Sequence, residues 1–207
     1  MAASKVDIWN MALTHLGELR EIQSETEDTV ERILCSRFYD LSLDATLRGV
    51  PWNFARSYFT LVTAAESPPT QWAYAYDYPA NCLNPLHIVK DGDSKANIGR
   101  SQYEVAQDVS GLPKKIIYTD ELDAILSYTV LTTDTTLFPP DFTLAVALHL
   151  GSQLAVPITN DANLKQSLIA EWRQQLFTAQ VEGVRDANTG LNGNPQSDSA
   201  LSDARQN

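Results

Sequence analysis

The chain has 207 residues, of which 43% are hydrophobic and 20% charged, and its formal charge is −11. That length holds one domain or two small ones, and the composition excludes a wholly disordered or fibrous chain. The acidic balance opposes tight binding to nucleic-acid phosphates, and Lys114–Lys115 is the only adjacent basic pair.

The opening MAASKVDIWN carries neither a basic leader nor a continuous apolar run, so no secretory signal is expected. A first helix is predicted from Ser4 to Leu16, with Val6, Trp9, Leu13 and Leu16 on one face and Gly17 as its stop. Ser24 and Glu27 make a capping-box pattern ahead of a second helix. In it Val30, Leu34, Phe38, Leu41 and Ala45 recur at helical spacing, and Gly49 with Pro51 ends it. Neither helix can bury its stripe alone. Cys35 in this helix and Cys82 in a later loop lack metal or redox spacing and read as two reduced thiols.

From Arg56 to Thr133 the apolar period changes to alternation, with turn residues at roughly every eight to twelve positions, the mark of short antiparallel strands. Leu86–Val89 precedes Asp91-Gly92, a hairpin signal. Tyr103–Ala106, Ile116–Tyr118 and Ile125–Leu131 supply further strands, the last apolar on both faces as in a small sandwich or barrel. Before them, Trp72, Tyr74, Tyr76 and Tyr78 alternate with small residues. Such a row can stack bases, but no basic residue is interleaved between Arg56 and Lys90, so packing between the helical and β parts is expected.

The stretch LFPPDFTLAVALHLGSQLAVP, from Leu137 to Pro157, reads as a helix apolar on nearly every side. Pro139 and Pro140 suit its start, and Pro157 is expected to forbid continuation. Its polar positions Thr143, His149, Ser152 and Gln153, without flanking Lys or Arg, argue for a core helix rather than a membrane span. A fourth helix begins near Asn160 or Asp161, either of which can cap it, and runs toward Gly183 with Leu164, Leu168, Trp172 and Leu176 in line. Phe177, Val181 and Val184 flank that line. Residues 184–207 are rich in Asn, Ser, Asp and Gly and cannot form a core, so they read as an extended tail that orders on a partner.

The fold class expected is therefore α+β. A four-helix bundle forms from N- and C-terminal helix pairs (1–55 and 137–183), with a small antiparallel β domain (56–136) inserted and an extended C-terminal tail (184–207).

Signals for chemistry are sparse. Glu18, Glu21, Glu25, Glu27, Asp28 and Glu31 crowd the start of the second helix, and a carboxylate pair can hydrolyse glycosidic bonds, yet such groups also favour helix N-termini on solvated surfaces. His15, His87 and His149 have no second ligand at helical spacing, and Asp91-Gly92-Asp93 begins like a calcium loop that Lys95 interrupts. No cofactor, metal or catalytic residue is expected, and there is neither a glycine-rich phosphate loop nor a nucleophile elbow.

Four motifs in order carry a resemblance: NMALTHLG at the start, VPWNFA after the second helix, WAYAYDYPANCL entering the β region, and LFPPDFTLAVALHLGSQLAVPIT with its following helix. Over about Val6 to Asn188 the chain resembles the head-to-tail adaptor family of short-tailed phages, also called tail tubular protein A. Residues 90–135 match in character only, and no motif of the tail aligns.

The resemblance implies a structural virion protein of the phage tail, assembled in the host cytoplasm and not an enzyme. Such adaptors form a ring, typically dodecameric, under the portal. The ring extends the DNA channel and offers attachment to a nozzle or tail-tube protein and to tail fibres. Genomic DNA passes through without specific binding, and no membrane is involved. The C-terminal segment, Arg185 to Asn207 here, would grip the portal, with Arg185, Leu191, Asn194, Pro195, Leu201 and Arg205 as the candidate portal-binding residues. Two alternatives stay open: a tail-associated peptidoglycan hydrolase, and a head-completion or stopper protein of a long-tailed phage.

Overall fold

The computed structural model describes residues 3–89, 100–108 and 113–189. Helices α1 (Lys5–Thr14) and α2 (Val30–Gly49) precede strands β1 (Arg56–Thr60), β2 (Tyr74–Asp77), β3 (Cys82–Val89), β4 (Arg100–Ser101), β5 (Tyr103–Asp108), β6 (Lys114–Thr119) and β7 (Ile125–Val130). Helices α3 (Pro140–Thr159) and α4 (Ala162–Thr189) follow. Among the described residues, four helices and two small antiparallel sheets make a mixed α+β protein.

Local chemistry sets the helix ends. Ser4 and Asp7 form a reciprocal capping box at α1, the Asp7 N–H donating to Ser4 Oγ at 3.1 Å and the Ser4 N–H to Asp7 Oδ2 at 2.8 Å. Gly17 takes φ 76°, a left-handed conformation that costs glycine little, and the Glu18 N–H then closes on the Leu13 carbonyl. The box expected at Ser24 and Glu27 does not start α2. Thr29 caps it, accepting from the Arg32 N–H, while Glu27 Oε2 accepts the Gln23 N–H inside the preceding loop. Asn10 holds that loop to α1 like a strand partner. Its Nδ2 donates to the Ile22 carbonyl at 3.0 Å and its Oδ1 accepts the Ile22 N–H at 2.9 Å, which sinks Ile22 into the core.

Of the expected α2 stripe, Leu34 and Phe38 pack partly buried against the core, but Val30 and Leu41 turn outward. Cys35, Tyr39, Leu43 and Leu47 face the core, with Ser42 and Thr46 beside them, whereas Val30 is 67% exposed and Leu41 55% exposed. Both stripes recur at helical spacing, and only the packing partners decide between them.

Pro157 does not end α3. The helix continues through Ile158 and Thr159, because a proline in the last turn removes only one N–H, and it stops at Asn160 in the left-handed conformation (φ 55°). Asp161 then caps α4, accepting from the Asn163 and Leu164 N–H groups. Beyond Gly183, where a stop was expected, α4 runs on to Thr189. One glycine costs a helix only about 1 kcal/mol, and the Gly183 carbonyl accepts from Asn53 Nδ2.

One hydrophobic cluster takes residues from all four helices: Ile8, Trp9 and Leu13 of α1, Tyr39 and Leu43 of α2, Phe142 to Leu154 of α3, and Leu176 and Ala179 of α4. Helix α3 is its centre, with 61% of its most apolar window buried, so the apolar run is a core helix. Gly151 lets α1 approach, since a Cβ there would stand 3.3 Å from the Ala12 carbonyl oxygen.

The strands form a sheet of order β1-β7-β3-β4 and another of order β2-β6-β5. Every pairing is antiparallel. After β1 the chain crosses from one sheet to the other: the Leu61 N–H bonds to the Ala124 carbonyl, and residues 62–64 then bond along β2. A second cluster joins Tyr76 and Ile117 of one sheet to Ile88, Leu126 and Tyr128 of the other. Tyr74, Tyr76 and Tyr78 of the expected aromatic row thus pack against the cluster inside the β region, while Trp72 bonds to Glu104 of β5. Asp91-Gly92 lies outside the described residues, but β3 and β4 on either side pair antiparallel, Ile88 opposite Ser101.

Candidate interaction surfaces

Where helices and sheets meet, four aromatic rings interlock. Trp52 and Phe54, from the turn after α2, surround Phe142 at the start of α3 with centroids 4.9 and 4.8 Å away, and Phe138 closes the group 4.8 Å from Phe142. The geometry is edge-to-face, which suits aromatic quadrupoles. Trp52 Nε1 donates to the Thr46 carbonyl, and Trp172 Nε1 of α4 donates to Thr46 Oγ1, so one threonine ties α2 to both. Leu83 of β3 belongs to the same cluster.

Groups singled out for chemistry are dispersed. Glu25 pairs with Lys5 at 3.4 Å and Glu27 with Arg20 at 3.6 Å, both on the surface. Lys5 Nζ also sits about 5 Å above the rings of Trp9 and Tyr39, at 5.3 and 5.1 Å. His15 ends α1, His87 lies on β3 and His149 on α3. Among the described residues no three His, Cys, Asp or Glu side chains converge as a metal site.

The basic pair at the start of β6 borders a shallow cleft of 420 Å³ lined by Tyr78, Pro79, Cys82, Lys114 and Lys115. Its charges are already engaged. Lys114 Nζ lies 2.9 Å from Glu66 and 3.0 Å from Asp77, hydrogen bonds that hold its pKa above the usual lysine value, and Lys115 Nζ stands 4.9 Å over the Tyr78 ring. Burial pushes the Cys82 thiol up, so at neutral pH it is a thiol and a poor nucleophile. Trp72 Nε1 donates to Glu104 Oε2 at 3.1 Å and the Tyr76 hydroxyl to the Glu121 carbonyl, contacts that spend those polar edges within the protein.

Of the candidate portal-binding residues, Arg185 lies on the final turns of α4, and Leu191, Asn194, Pro195, Leu201 and Arg205 lie outside the described residues. What the sequence reading missed is on the helices. Ile33 (40% exposed) and Leu41 leave α2 with a second apolar face, and α4 presents Phe177 (67%) and Val181 (36%) to solvent. The signal was available in α2, whose residues fit two helical stripes at once.

Comparison of the chain with protein-family models and with curated proteins gives no match.

Proposed function

We propose that this chain is a head-to-tail adaptor of a short-tailed phage: a structural virion protein that assembles as a ring, dodecameric by the resemblance, under the portal. In this reading the four helices form a bundle with the sheets inserted, the ring prolongs the DNA channel, and nozzle or fibre proteins attach below it. The single observation that supports it is the aromatic cluster. Trp52 and Phe54 of the VPWNFA motif meet Phe138 and Phe142 of the LFPPDF motif, so two motifs on which the resemblance rests serve one structural joint. The formal charge of −11 agrees with a channel through which DNA passes without adhering. Glu25 and Glu27, the pair a hydrolase would need, are each matched with a cation on the surface, an ordinary structural arrangement.

The test is to mix the purified chain with the portal and count subunits by electron microscopy. The adaptor reading expects a ring on the portal, a largely monomeric chain without it, and loss of portal binding when residues after Asn188 are removed. A chain that never joins the portal would overturn the reading, and a truncated chain that still binds would remove the tail from it.

A further inference from the structure

Two exposed helix faces carry the same unusual mixture of apolar groups and unmatched charges. On α2, Ile33, Arg37, Asp40, Leu41 and Asp44 lie within one roughly 100° arc, and on α4, Ala170, Arg173, Gln174, Phe177 and Val181 do the same. Asp44 is taken by Arg48 of its own helix, but Arg37, Asp40 and Arg173 have no ion-pair partner among the described residues. Each helix already buries another face in the core, so these faces are additional to the fold.

We propose, resting on the ring reading above, that α2 of one copy packs antiparallel on α4 of the next copy, with Ile33 against Val181, Arg37 over Phe177, and Asp40 against Arg173 and Gln174. The registers match. From Ile33 to Arg37 to Asp40 the steps are about 6 and 5 Å, and from Val181 to Phe177 to Gln174 they are the same, because both helices rise about 1.5 Å per residue. The Leu41 position then meets the stem of Arg173, and Asp44 meets Ala170. The guanidinium of Arg37 on the Phe177 ring is a cation–π contact, and Asp40 with Arg173 is an ion pair. A parallel alignment that sets Ile33 against Phe177 leaves Asp40 beyond Val181 and away from Arg173, so charge complementarity selects the antiparallel one.

The contact uses a different patch on each copy, so it is heterologous and repeats until a ring closes. Two stripes of about three turns bury far less than the roughly 1,600 Å² of a stable interface, which keeps free copies apart until concentration or the portal gathers them.

A disulfide ladder tests the contact. Inside one copy Thr46 meets Trp172 and Gly49 faces Leu176, so α2 and α4 run parallel there, and Ile33 lies about 20 Å along α2 from Thr46. A 33–181 disulfide therefore forms only between copies, and Cys35 and Cys82 are buried. The full chain carrying Ile33→Cys and Val181→Cys together, oxidised at high concentration and again on the portal, is expected to give covalent multimers in regular steps. Neither single variant should. Adding Asp40→Arg is expected to abolish the ladder, and adding Arg173→Asp to that to restore it. Portal rings without a ladder would overturn this contact and leave the adaptor reading standing. A ladder without portal rings would uphold the contact and sink the adaptor reading, and absence of both would overturn both. A ladder indifferent to Asp40→Arg would overturn the proposed register.

Discussion

On α3 the ring of His149 lies 4.6 Å from that of Trp172, and its buried Nδ1 has no hydrogen-bond partner among the described residues. Burial lowers its pKa below the ordinary 6.5, and Lys165 of α4 lowers it further. The sign follows from linkage. The unfolded chain takes up a proton near pH 6.5 while the folded chain still refuses it, so the contribution to stability is complete above pH 6.5 and is lost as pH falls through the lower folded value. Urea midpoints measured from pH 8 to pH 5 should therefore fall more steeply for the wild type than for His149→Gln. Parallel curves would show that His149 titrates as it does in the unfolded chain. Only the polar character of this position was legible beforehand. The aromatic neighbour and the cation come from a helix that the sequence spacing cannot place beside it.

At the scale of elements, helix starts were read from side-chain chemistry, and for α2 that reading named Ser24 and Glu27. Ser24 with Glu27 has the better written signature, yet Thr29 makes the capping bond. Asn10 makes two hydrogen bonds to the Ile22 backbone, which hold the preceding loop against α1. Replacing Thr29 by Ala should cost about 1 kcal/mol in urea unfolding, and Ser24→Ala should stay within about 0.5 kcal/mol. The reverse order would mean that α2 begins earlier in solution. A similar lesson holds at Pro157 and Gly183. Each breaks a helix only in the average case, and each sits here where the lost bond is few and the neighbouring turns are held.

For the molecule as a whole, the joint between helices and sheets is the place where a single change should be felt everywhere. Trp52 contributes ring contacts to Phe54 and Phe142 and a bond to the Thr46 carbonyl, while Leu83 of β3 lies in the same cluster. Trp52→Ala should destabilise the chain by about 3–5 kcal/mol. Helix loss followed by circular dichroism and sheet loss followed by tyrosine fluorescence should still coincide in denaturant, because the two parts share buried side chains. Two separated transitions would show that the β region stands on its own.

From the sequence by itself came the helix–strand–helix order, the left-handed stop at Gly17 and the buried character of the Leu137–Pro157 run, because period, glycine and proline act within a few residues of themselves. The tertiary structure alone decided which of the two stripes of α2 goes inward, that Tyr76 packs between the sheets, and that Phe177 and Val181 remain outside. Those outcomes depend on which partner arrives at each face, and partners distant in the chain leave no mark on local spacing.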